Sequence, residues 1–152
     1  MQILKIVSGG QTGADRAALD WAIRNGVPCS GWCPKGRRAE DGVLEATYPL
    51  KESSSRSYLQ RTEWNVRDSD GTVVFSLGPK LAGGSLRTVH FARKHDKPWL
   101  HVSAADPAAA ERLRSFLEDN VIGILNVAGP RESKEPHVGR FVETMLDRAF
   151  GL

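Results

Sequence analysis

Cysteine is scarce in this chain: Cys29 and Cys33 are the only two in 152 residues. Spaced as Cys-Ser-Gly-Trp-Cys, they cannot by themselves furnish a four-ligand zinc site. The four histidines (His90, His95, His101 and His137) are scattered without ligand spacing. Buried reduced thiols and no metal centre are therefore expected. Long apolar runs are missing as well, since none approaches the roughly 18 residues that a bilayer span needs. The opening Met1-Gln2-Ile3-Leu4-Lys5-Ile6-Val7 lacks the basic and apolar stretches of a secretory signal. A soluble cytoplasmic protein is the expectation. Nor does charge of one sign dominate: 21 Lys and Arg against 18 Asp and Glu leave +3. With no basic helix or aromatic-studded surface, nucleic acid is not an expected partner, and neither is a membrane. Any anion binding has to come from where the cations and amides are placed, because bulk charge does not supply it.

Glycine, in contrast, is abundant: 15 of 152 residues, above the roughly 7% of an average chain. The apolar share of 40% and charged share of 26% are those of a globular protein with one core. Along the chain, strand and helix signals alternate. Ile3–Val7 reads as a buried strand, followed by a helix over Ala14–Asn25 with Gly26 at its C-terminal stop, and a short strand over Val27–Ser30. Trp32–Ser57 reads as a long irregular stretch. A helix over Tyr58–Arg67 then precedes the clearest strand, Thr72–Ser76. Gly83-Gly84-Ser85 leads into a helix over Leu86–His95, with Ser85 as its N-cap. A strand over Pro98–Val102, a helix opened by Asp106-Pro107 and running to about Asn120, a strand over Ile122–Val127 and a helix over Val138–Phe150 complete the chain. This alternation predicts a single α/β domain over residues 1–152, with a mostly parallel sheet covered by helices on both faces.

In such a sheet, ligands bind beyond the carboxyl ends of the strands. Four loops therefore matter. In Ser8-Gly9-Gly10-Gln11-Thr12-Gly13-Ala14-Asp15, three glycines and a helix start suit a phosphate or similar oxyanion, with Gln11 and Thr12 adding donors; the bland alternative is a tight turn. The loop is neither a Walker A sequence nor G-x-G-x-x-G. Gly83, Gly84, Ser85 and Thr88 form a second Gly-rich helix start. Lys35, Gly36 and Arg37, with Trp32 as a flat face, form a candidate phosphate clamp or else a solvated basic loop. Asn126, Gly129 and Arg131 lie at the end of the last strand, next to Ser133. Thr62, Asn65 and Asp68 fall about one turn apart on one helix face, where they either line the pocket or cap and pair locally, the latter expected for Asp68. No G-x-S-x-G elbow is present, and Asp15, Glu40, Asp41 and Asp68 have no evident catalytic partner, so no catalytic residue is assigned.

Four segments together resemble the molybdenum carrier family. They are the Ser8–Asp15 loop, Gly31-Trp32-Cys33-Pro34-Lys35-Gly36-Arg37, Arg61-Thr62-Glu63-Trp64-Asn65-Val66-Arg67-Asp68-Ser69-Asp70-Gly71-Thr72 and Leu125-Asn126-Val127-Ala128-Gly129-Pro130-Arg131. The resemblance runs from about Ile3 to Phe150. It implies a three-layer, Rossmann-like doubly wound fold, shared with the lysine-decarboxylase-like phosphoribohydrolases and the DNA-processing protein DprA. It also implies a carried ligand, molybdenum cofactor, which is a pterin bearing a phosphate and an oxo-metal group, and a homo-oligomer (dimer or tetramer). The phosphoribohydrolase pattern P-G-G-x-G-T-x-x-E is only partly met. Gly83 and Gly84 fit its first glycines with Ala82 in place of the proline, and with Thr88 set on its threonine, one residue out of that register, Phe91 stands where the glutamate belongs. Non-enzymatic binding of an anionic, nucleotide-like heterocycle is thus the leading expectation, ahead of a nucleotide-processing enzyme with Glu40 or Asp41 as its acid. His137 occupies a position where the carrier family is expected to show glycine.

Overall fold

Fourteen elements follow one another in a computed structural model that describes residue 3 and residues 5–152. In chain order they are β1 (Lys5–Val7), α1 (Ala14–Arg24), β2 (Cys29–Ser30), β3 (Trp32–Cys33), β4 (Arg38–Ala39), β5 (Gly42–Val43), β6 (Lys51–Glu52), α2 (Tyr58–Arg67), β7 (Gly71–Ser76), α3 (Gly83–Lys94), β8 (Trp99–Ser103), α4 (Ala109–Asp119), β9 (Ile124–Ala128) and α5 (Val138–Ala149). Leu4, part of the first expected strand, lies outside the described residues.

The main sheet has five parallel strands in the order β2-β1-β9-β7-β8. Helices α1, α4 and α5 pack together on one face, and α2 and α3 pack together on the other. The result is the expected three-layer Rossmann-like arrangement. Every residue of β7 is buried, as a strand covered on both faces must be. Counting β9 as the first strand and then continuing with β1 converts the order to 3-2-1-4-5, the doubly wound order whose ligands bind where the winding reverses. Here that reversal falls around β9, the last strand in the chain.

The core lies mainly between the sheet and the α1/α4/α5 layer, built from Ile6, Trp21, Phe75, Leu113, Leu117, Leu125 and Leu146. Trp21 completes this layer by donating its indole N–H to Asp147 at 2.8 Å. A second, smaller cluster of Leu19, Cys33, Leu44 and Leu50 sits beneath the long segment after β2. Cys29 and Cys33 are free thiols, and burial raises both above the ordinary thiol value.

Three local expectations need correction. Helix α4 begins at Ala109 with Ala108 at its N-cap, so Asp106-Pro107 forms the turn before it, where the Asp106 carboxylate accepts from the Ala108 amide at 2.9 Å. The stretch from Trp32 to Ser57 holds four short strands: β3 pairs in parallel with β6, and β4 with β5 forms a hairpin turning at Glu40-Asp41. Helix α3 begins at Gly83, so Ser85 lies inside its first turn and Ala82 occupies the N-cap, with no side-chain cap. Glycine weakens a helix interior, but first-turn amides have no intrahelical partner anyway, so the Gly-Gly pair did not delay the helix as its propensity suggests.

Candidate ligand-binding cavity

A cavity of about 230 Å³ opens at the carboxyl ends of β1, β9 and β7. Gly9 and Asn126 supply it from the strand ends. Helix α2 covers it with Tyr58, Leu59, Arg61, Thr62 and Asn65, the first turns of α3 close one side, and the segment after β9 closes the other with Gly129, Pro130, Arg131 and Lys134. Crossover geometry brings these distant stretches together, because parallel strands all deliver their following loops to the same edge.

Arg61 dominates the interior. It is only 7% exposed, and its guanidinium lies along Gly9 so closely that a Cβ there would collide with it. Its Nε donates to the Tyr58 carbonyl at 3.2 Å, and the guanidinium sits 5.2 Å from the Tyr58 ring centre. Nη1 donates to Asp15 Oδ2 at 3.3 Å. Burial pushes the Asp15 carboxyl up to about 6, outweighing the opposing pull of Arg61, the Gln11 amide and Arg16. Among the described residues Asp15 is the one carboxylate in the lining, against four cations: Arg61, Arg87, Arg131 and Lys134. The start of α3 adds Gly84 and Ser85 to the same wall. That helix has no side-chain cap; its Ser85 amide donates to the Ala82 carbonyl at 3.1 Å, and its dipole sets positive potential at this wall.

Beside the cavity, Glu40 fastens three loops. Its carboxylate accepts from the Thr12 hydroxyl, from Ser133 Oγ at 2.5 Å and from the Ser133 amide at 3.2 Å. Arg131 Nε lies 3.8 Å away. Hydrogen bonds from Ser133 and Thr12 hold this carboxylate below the usual range. Gln11 continues the fastening, its Oε1 accepting from the amides of Thr12 (3.0 Å) and Glu40 (2.8 Å). Arg16 pairs with Asp41 at 2.8 Å, which keeps Asp41 low as well.

The cavity unites most of the residues expected from sequence. Gly9, Gln11, Asp15, Thr62, Asn65, Gly84, Ser85, Thr88, Asn126, Gly129 and Arg131 all line it. Some of these side chains are already engaged: Asn65 bonds both backbone groups of Trp32, and the Thr62 and Thr88 hydroxyls donate to carbonyls one turn back. Gly10, Thr12, Gly13, Gly83, Trp32, Lys35, Gly36 and Arg37 are outside the lining. Gly10 backs onto Leu44 and Leu50. Gly13 packs against the backbone of Pro130 and Glu132, and the Pro130 carbonyl accepts from the Ala14 amide at 3.2 Å, so the start of α1 already has a partner. Arg37 spends its guanidinium on the carbonyls of Leu44, Glu45, Tyr48 and Leu50, which shapes its own loop. Trp32 stacks edge-on against Trp64 and donates its indole N–H to Asp68 at 2.8 Å. His137 takes φ +71°, a left-handed conformation that explains the glycine expected there. Its amide donates to Glu132.

Sequence reasoning missed Tyr58, Leu59, Arg61, Arg87 and Lys134. Arg61 was within reach: it precedes Asn65 by four residues and so shares its helix face.

A family model described as "Circularly permutated YpsA SLOG family" matches residues 6–150. Among solved structures, the crystal structure at 1.45 Å of "Putative molybdenum carrier protein" from Syntrophus aciditrophicus SB is similar. It is 46% identical with a TM-score of 0.94, over 97% of this chain and 94% of that one. No curated protein matches the chain. The strand order, which becomes regular when β9 is counted first, is what a circular permutation produces.

Proposed function

The chain belongs to the circularly permutated YpsA SLOG family, and from that premise we propose that it is a carrier for an anionic heterocyclic ligand, of the molybdenum cofactor or nucleotide class, held in the cavity at the ends of β1, β7 and β9. The observation that carries this reading is the convergence of the α3 N-terminus and the buried Arg61 on one cavity, with Arg87, Arg131 and Lys134 around it. A phosphate would take the Gly84 amide and the positive end of α3, and Arg61 would meet a second anionic or carbonyl oxygen. Leu59, Pro130 and the Tyr58 ring offer apolar faces to a flat heterocycle. These groups suit a pterin phosphate, and the 46%-identical structure bearing a carrier's name agrees with it.

Holding without transforming is the simpler reading, because the lining's one carboxylate is tied to Arg61. A cytoplasmic homo-oligomer, dimer or tetramer, belongs to the same proposal, and its mass in solution is measured by light scattering. Native mass spectrometry of freshly purified protein, with fluorescence detection of oxidised pterin, tests the ligand. Bound pterin, or uptake of supplied cofactor, is the expected result; neither would occur if the carrier reading is wrong.

One observation favours a second reading, a nucleotide-processing hydrolase. Asp15, pushed up to about 6, lies in the range of a general acid. Glu40 and Asp41, the acids named from sequence, lie outside the lining and are held as carboxylates. Release of free base from nucleoside monophosphates, lost in Asp15→Asn, would establish this reading; no release across a panel removes it.

A further inference from the structure

We propose that anion capture in this cavity is coupled to proton uptake at Asp15: an anion that engages the Arg61 guanidinium takes it from the Asp15 carboxylate, which then binds a proton from solvent. The proposal rests on the reading of the cavity as an anion site and adds a proton to it.

Three features of the geometry lead there. Asp15 and Arg61 are buried as a pair inside the cavity lining, with side-chain exposures of 9% and 8%. They are joined by one contact of 3.3 Å, looser than the bidentate pairing in which Arg and carboxylate hold each other best. Finally, Arg61 lines the cavity with Nε used by the Tyr58 carbonyl and Nη1 by Asp15, which leaves Nη2 without a hydrogen-bond partner among the described residues. An incoming dianion therefore competes with Asp15 for the same guanidinium. Two anions cannot share one buried cation without raising the proton affinity of the weaker acid. Asp15 is already close to that point, because burial holds it at about 6 even against the pull of Arg61, the Gln11 amide and Arg16.

The groups around the pair leave Asp15 as the one that responds. Arg16 stands on the same helix, Tyr58 on α2, Arg87 on α3, and Arg131 and Lys134 after β9. Arg38 covers the Tyr58 ring at 4.7 Å. Glu40, next to Arg131, is held below the usual carboxylate range and stays ionised throughout. Among the described residues the lining includes no histidine.

Sulfate is the suitable probe, since it stays a dianion across the range and brings no titration of its own. Wild-type affinity for sulfate, measured by calorimetry from pH 5 to 8.5, should fall about tenfold per pH unit above pH 6 until the complex's own pKa is reached. Asp15→Asn should bind with a flat pH profile and at least tenfold more tightly than wild type at pH 8. Tyr58→Phe should keep the wild-type slope. Titrations of the wild type in two buffers of different ionisation enthalpy should report about one proton taken up per sulfate near pH 7. A flat wild-type profile with no proton uptake, or a slope that persists in Asp15→Asn, overturns the coupling while leaving the anion site standing. No sulfate binding at any pH, in wild type or in either variant, overturns the anion site and the coupling together.

Discussion

Two glycine-rich loops of this protein look alike in sequence and are packed in opposite ways. At Ser8–Ala14, the glycines let backbone and side chains approach each other. A Cβ at Gly13 would come within 2.5 Å of the Pro130 carbonyl, and one at Gly10 within 2.9 Å of both Leu44 and Leu50. That carbonyl also accepts from the first amide of α1, so the helix end is occupied from within the protein. At Ala82–Ser85, a Cβ at Gly84 would meet open space, and the Ser85 amide turns back onto the Ala82 carbonyl of its own loop. Glycine at a strand-to-helix turn signals close approach, and only the surrounding structure says whether a ligand or the protein itself approaches. The first loop reaches the cavity by other means, through Gly9, Gln11 and Asp15.

The largest expected effect tests this contrast directly. Gly13→Ala, with φ +79° and the Pro130 carbonyl in the way, should cost at least about 3 kcal/mol in denaturant unfolding. Gly84→Ala, in a helix turn with free space, should be neutral or stabilise by up to about 1 kcal/mol. Equal costs at the two positions would erase the distinction. Asp15→Asn comes next and sharpens the exception within the first loop. Its carboxyl is raised in the folded state, so its contribution is intact below the unfolded value of 3.8 and is lost as pH rises through about 6. The variant should accordingly be more stable than wild type at pH 8 by up to about 3 kcal/mol, with the gap closing by pH 4. Thermal unfolding at the two pH values checks it.

Glu40→Gln follows, because Glu40 is what fastens the first loop to its neighbours. The loss should be about 1 to 2 kcal/mol, moderated by solvent exposure. Since Glu40 is lowered in the folded state, its stabilisation is present above the ordinary carboxylate range and disappears as pH falls through the folded value. Wild type and variant should therefore converge in acid. Smallest is His137→Gly, which relieves a left-handed residue and should raise stability by less than about 1 kcal/mol.

The sequence is most legible where the signal is local. Helix α2 spans the expected Tyr58–Arg67, and the strand read from Thr72–Ser76 gains one residue at its start. Asp68, at the C-cap of α2, pairs locally with Arg67 at 2.8 Å and accepts from the Trp32 indole. Non-local relations are another matter. Nothing in the chain order announces that β9 lies between β1 and β7, yet that placement makes Asn126, Gly129 and Arg131 part of the cavity. Charge type is visible in a sequence, but the partner of a charge is not. Arg37 read as a phosphate clamp and instead binds four carbonyls of its own loop, while Arg61, embedded in a helix with no glycine nearby in sequence, occupies the cavity interior.

A crystal structure of the protein with a pterin phosphate or nucleoside monophosphate bound would test the central claim most directly. The phosphate is expected on the Gly84 amide at the start of α3, with Arg61 on the same ligand. A phosphate seated at Thr12–Gly13 or on the Lys35–Arg37 turn, with the cavity empty, would contradict it.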